Sequence, residues 1–123
     1  MKKRRATVIY ENENGILLTR ISSEPWLLPG GHAEYNEPRI IAAIRELKEE
    51  TGLKARDVKF LFEFESGHYY QKVFHITADG EPSPNSEVAN LIYYYPGGPL
   101  AESEISYSSM DIIRRYLEMK TSL

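Results

Sequence analysis

The chain has no cysteine among its 123 residues. That excludes a disulfide framework, a thiolate nucleophile and a thiolate metal site. It suits a reducing compartment, and a cytoplasmic location is expected. Long apolar runs are missing too. The run that follows Lys2-Lys3-Arg4-Arg5 stops at Tyr10, before Glu11, whereas a signal-peptide core needs about 7–15 apolar residues and a membrane span about 20. No membrane partner is expected, and the four cations read as a basic lead-in to a first strand. A basic excess is also lacking: 15 Lys and Arg stand against 18 Asp and Glu, a net charge of −3. There is no footprint for a general nucleic-acid binder, so DNA is not expected and RNA is disfavoured, whereas a single nucleotide bridged by metal is compatible. Three scattered histidines, His32, His68 and His75, make no zinc site. No repeat, low-complexity segment or dividing linker appears, so residues 1–123 are expected to fold as one domain with a real core.

What the chain does have is concentrated in residues 31–53, GHAEYNEPRIIAAIRELKEETGL. Glu46, Glu49 and Glu50 fall within one sector of a helix turning roughly 100° per residue. Ile40, Ile44, Leu47 and Thr51 form the opposite stripe, expected to face a core. Like charges at this spacing repel by about 0.2–0.5 kcal/mol per pair, a cost that a bound cation offsets. Magnesium suits carboxylate oxygens, water and substrate phosphate. The flanks agree with this reading. Pro29-Gly30-Gly31 reads as a side-chain-poor turn that lets backbone approach an ion or phosphate. Asn36 is placed to cap the helix, Pro38 to occupy its first turn and Gly52 to end it.

Gly31-x5-Glu37-x7-Arg45-Glu46-Leu47-x-Glu49-Glu50-x-Gly52-Leu53 resembles the Nudix box, G-x5-E-x7-R-E-U-x-E-E-x-G-U with U aliphatic, with all nine fixed positions present. A bare RELKEE helix is in most proteins a solvated face; the full spacing behind Pro-Gly-Gly reverses that judgement. The resemblance implies an α/β fold, an α/β/α sandwich with a mixed sheet between helices. It also implies hydrolysis of a nucleoside diphosphate linked to another group, with Mg²⁺ or Mn²⁺ as cofactor. By that similarity Glu49 and Glu50 are the principal metal ligands, the carbonyl beside Gly30 adds another, and Glu46 is a further ligand or the general base. Arg45 and Glu37 support the site, and a homodimer is common in the family.

The other segments read as strands over residues 5–10 and 16–20, joined by an Asn-Gly hairpin turn. Residues 55–57 read as a link, and Val58, Phe60, Phe62 and Phe64 as one aromatic face of a strand. Residues 70–78 form its antiparallel partner and 91–95 a further strand. A last helix starts near Ser108 or Ser109, with Ser108-x-x-Asp111 resembling a capping box. Glu87, in the loop ahead of the 91–95 strand, is the best candidate for a further metal carboxylate, with Glu81 second. Gly31 and His32 are candidate phosphate contacts. Tyr69 and Tyr70 lie where relatives that cleave dinucleoside polyphosphates carry a base-stacking tyrosine, although an aromatic strand start also packs. Trp26 reads as core rather than as a base platform. The leading expectation is a nucleotide pyrophosphohydrolase with a small soluble substrate. A dinucleoside polyphosphate or capped-RNA hydrolase is the second reading, and a catalytically silent nucleotide-binding module the third.

Overall fold

Strand alternation in the first element sets the layers. β1 (Lys3–Ile9) sends Ala6 and Val8 into one apolar cluster and Ile9 into another. In the computed structural model, which describes residues 2–122, β1 is followed by β2 (Glu11–Asn12), β3 (Gly15–Arg20), β4 (Gly30–His32), α1 (Arg39–Thr51), β5 (Lys54–Glu65), β6 (Tyr69–Asp79), β7 (Asn90–Tyr94), a 3₁₀ turn and α2 (Tyr107–Thr121). Four strands form a mixed sheet in the order β4-β1-β6-β5: β1 runs antiparallel to β4 and parallel to β6. A second sheet, β2-β3-β7, carries Leu17 to one cluster and Ile16 and Leu18 to the other. α1 closes the first cluster with Ala42, Ala43 and Leu47; α2 closes the second with Met110, Ile112, Ile113 and Tyr116. The expected α/β/α arrangement is thus present, its strand layer divided into two sheets. Among the described residues no helix is long and apolar enough to cross a membrane.

Several local expectations are corrected. Pro29-Gly30-Gly31 is not a free turn, because Gly30 and Gly31 open β4 and pair with Thr7 and Ala6 of β1. Residues 55–57 are already inside β5, which begins at Lys54. Asn36 does not cap α1. It adopts a left-handed φ of 62° three residues ahead of the helix, and the N-cap is Pro38, with no side-chain hydrogen bond. Gly52 ends the helix as expected, with φ 77° and its N–H donating to the Lys48 carbonyl. α2 starts at Tyr107 rather than Ser108, because the Ser106 hydroxyl accepts from the Ser109 N–H at 3.3 Å. The four-residue aromatic face of β5 is split by a bulge between Phe60 and Phe62. One extra residue inverts the alternation, so Val58 packs on the α1 side whereas Phe62 and Phe64 join the α2 side.

The buried stripe of α1 also differs from expectation. Leu47 and Thr51 are buried, but Ile40 is 41% exposed and Ala42 and Ala43 take the inner positions. Small side chains let the helix sit close to the sheet, where an isoleucine would hold it off. Two substitutions test this. Leu47→Ala should cost about 2–5 kcal/mol in urea unfolding by emptying a fully packed position. Ile40→Ala should cost no more than about 0.5 kcal/mol, as at an exposed site.

Candidate active site

The carboxylate edge of α1 lies close against β4, where two glycines leave room for it. A Cβ on Gly30, where φ is 145°, would sit 2.1 Å from the Ala6 carbonyl oxygen. A Cβ on Gly31 would sit 2.5 Å from the Glu46 carboxyl carbon. In the space thus left, the Gly30 N–H donates to Glu50 Oε1 at 3.2 Å. The strand itself is held from behind. The Val8 N–H donates to the Pro29 carbonyl at 2.9 Å, the Leu28 N–H to the Ser109 hydroxyl at 3.0 Å, and Arg5 Nη2 to the Leu28 carbonyl at 3.2 Å. Burial pushes the Glu50 carboxyl from its ordinary 4.5 up to about 8; the Glu46 carboxylate adds to this and the Gly30 N–H opposes it.

Arg45 organises the outer acids. Its Nε and Nη2 donate to the two Glu37 oxygens at 2.8 and 2.9 Å, a bidentate clamp. Nη1 donates to Glu46 at 2.9 Å and to Glu49 at 3.1 Å, and Nη2 also reaches the His32 carbonyl at 3.1 Å. The clamp and the Glu34 N–H hold the Glu37 carboxyl down at about 2. The neighbouring carboxylates raise Arg45 above its usual value.

Glu87 reaches the same place because its loop is docked on the end of α1. The Ser83 N–H donates to the Thr51 carbonyl at 2.9 Å and the Asn85 N–H to the Glu50 carbonyl at 3.0 Å. These bonds satisfy helix-end carbonyls that would otherwise lack partners. Glu46, Glu49, Glu50 and Glu87 consequently line one cavity of about 240 Å³, which Ile21, Ser86 and Val88 complete. Among the described residues no three of these acids converge to ion-binding spacing; Arg45 draws Glu49 and Glu46 toward itself. The donor set is nevertheless all hard oxygen, and Glu50 is buried beside the Glu46 carboxylate. Both features fit a hard divalent cation.

The remaining candidates fall outside that cavity. His32 is exposed, and its ring lies 5.4 Å from that of Tyr69. Partial burial and the charges of Lys3 and Arg5 lower His32. Glu81 and His68 do not line the cavity, and His75 stacks on Tyr116 at 6.0 Å on the α2 side. Trp26 is buried, with the Arg20 guanidinium 4.4 Å from its ring. Sequence reasoning read Arg5 only as part of the basic lead-in to the first strand, but it sits behind the acids with Nε 3.2 Å from the Thr7 hydroxyl. Burial lowers it, and Glu50, Tyr69 and Glu46 offset that. The available signal was alternation, which sets Arg5 and Thr7 on the sheet face opposite Arg4 and Ala6.

Comparison with known proteins agrees with this geometry. The family model described as the NUDIX domain matches residues 1–97. The human diphosphoinositol polyphosphate phosphohydrolase NUDT4B is 35% identical over 96 residues, covering 68% of this chain and 53% of that protein. The chain spans about half or less of the curated relatives it matches. Among solved structures, a nudix hydrolase family member from Chromobacterium violaceum superposes with a TM-score of 0.88 at 32% identity, covering 98% of this chain and 79% of that one. A bifunctional NMN adenylyltransferase/ADP ribose pyrophosphatase from Francisella tularensis, complexed with AMP and a Mn ion, shares the fold, with a TM-score of 0.74 at 20% identity, covering 97% of this chain and 42% of that one. The nine-position box, the layered fold and the family model converge on one conclusion: the chain belongs to the Nudix hydrolase family.

Proposed function

We propose that the chain hydrolyses a phosphoanhydride bond in a small nucleoside diphosphate linked to another group. Mg²⁺, or Mn²⁺ in its place, would be held by Glu46, Glu49, Glu50, Glu87 and the carbonyl beside Gly30. The observation that carries this reading is the single cavity shared by four glutamates from two separate segments. The reaction joins a water oxygen to phosphorus and breaks the P–O–P bridge, whose electron pair leaves with the departing phosphate. A bound divalent ion would neutralise phosphate oxygens and acidify water. The chain's own residues supply the rest. Arg45 orients Glu46 and Glu49, the Gly30 N–H fixes Glu50, and Glu46 serves as a further ligand or takes the proton of the attacking water. Gly31 and His32 contact phosphate, and Tyr69, beside His32, contacts the nucleotide base.

A second substrate class is supported by the 35% identity to the human NUDT4B protein. Diphosphoinositol polyphosphates, named for that relative, carry the same kind of bond. A screen of nucleotide sugars, dinucleoside polyphosphates, capped RNA and diphosphoinositol polyphosphates, with and without Mg²⁺, separates these classes. Glu49→Gln and Glu50→Gln should each lower turnover by on the order of 100-fold or more, with a native circular dichroism spectrum. Full activity in chelator, or in either variant, contradicts the assignment.

Stability offers a readout independent of turnover. The folded Glu50 value of about 8 lies above the ordinary 4.5, so between these values the folded chain keeps a proton that the unfolded chain has lost. Stability in chelator should therefore fall as pH rises from about 4.5 to about 8. Glu50→Gln should flatten that slope, and Mg²⁺ should restore stability most at the alkaline end. A melting temperature in chelator that rises across this window contradicts the assignment of Glu50 as a cation-seeking group.

A further inference from the structure

A second hollow, at the N-terminal end of α1, plays no part in the proposed hydrolysis. Its volume is about 370 Å³, and Arg4, Arg39 and Lys72 line it, with Ile40, Phe60 and Phe74 as its apolar wall. The three cations come from three elements: β1, the first residue of α1, and β6. Alternation explains the meeting. Arg4 shares a sheet face with Ala6 and Val8, and Lys72 shares it with Phe74 and Ile76, so both point to the side that α1 covers.

No carboxylate among the described residues lines the hollow. Among the described residues, none of the three cations lies in a salt bridge. Arg4 Nη2 donates to the Glu37 carbonyl at 3.0 Å and Arg39 Nη1 to the Tyr70 carbonyl at 2.9 Å, bonds to neutral oxygens; the Glu37 carboxylate, whose partner is Arg45, feels the Arg4 charge only as a lesser, through-space effect. Glu63, cross-strand partner of Lys72, is the acid whose field reaches Arg39. It does not outweigh burial and the Arg4 charge, which together lower Arg39. α1 contributes in the same sense, since its first turn has no acidic residue and no side-chain cap, which leaves the positive end of the helix dipole uncompensated. Beside these charges, Phe60 is 49% exposed and meets Phe74 edge-on at 5.7 Å. An exposed ring flanked by cations offers a stacking face next to an anion site.

We infer that this hollow binds a phosphomonoester carrying a flat ring, the class to which mononucleotides belong, with phosphate between Arg4, Arg39 and Lys72 and the ring against Phe60. The test is calorimetric titration of AMP, and separately of inorganic phosphate, into the full chain in excess chelator at low salt. Because it reads binding without a divalent ion, its outcome does not depend on hydrolysis. AMP should bind at one site, more tightly than phosphate. Arg39→Ala and Lys72→Ala should each weaken AMP by about tenfold or more while circular dichroism stays native. Phe60→Ala should remove the preference for AMP over phosphate. No AMP binding at millimolar concentration, or affinity retained in both Arg39→Ala and Lys72→Ala, overturns the proposal. A preference for AMP that survives Phe60→Ala overturns its stacking half.

Discussion

The arrangement of this chain depends on a steric constraint: β4 must pass between β1 and α1 with no side chain in the way. Glycine at position 30 meets it, since a Cβ would lie 2.1 Å from a backbone oxygen, whereas at position 31 a Cβ, 2.5 Å from the Glu46 carboxyl carbon, would push that carboxylate from its place. Pairing with β1 fixes the strand, and the strand fixes the helix through the Gly30–Glu50 hydrogen bond. The α2 layer takes part as well, because the Ser109 hydroxyl accepts from the Leu28 N–H just upstream. The helix on one side of the sheet is thus positioned partly by the helix on the other.

Electrostatics then divides the acids of α1, with Glu37 just ahead of it, into two kinds. Glu37, Glu46 and Glu49 are reached by the Arg45 guanidinium, whose planar fork matches carboxylate geometry. Glu50 faces inward, where it accepts from the Gly30 N–H and lies against the Glu46 carboxyl, so burial first and then that neighbour raise its proton affinity. A carboxylate that resists ionisation beside others is a common mark of a site built for added positive charge. Glu87 extends that negative field from a loop tied to the helix end by the Ser83 and Asn85 amides.

The cationic hollow at the other end of the same helix has the opposite character. α1 therefore presents a carboxylate cavity near its C-terminus and, around its N-terminus, three cations that form no salt bridge among the described residues. The ordinary helix dipole would favour the reverse. The dipole thus compensates the charge at neither end, and at the carboxylate end Arg45 of the same helix takes up part of it by pairing with Glu46 and Glu49.

The sequence alone determined which acids share one sector of the helix, because helix periodicity is local: the spacing of Glu46, Glu49 and Glu50 and the helix stop at Gly52 follow from it. Burial of Trp26 and the order of the main elements were legible for the same reason. Only tertiary structure decided what depends on distant partners. β4 became a strand because β1 lies beside it, and the β5 bulge divided an apparently uniform aromatic face between two cores. Arg5 came to lie behind the acids, and Arg4, Arg39 and Lys72 met from three elements, whereas Glu87, already singled out from its loop position, was carried into the acids' cavity by the docking of that loop on α1. No periodicity within one segment encodes such meetings, since they arise from how separate segments pack.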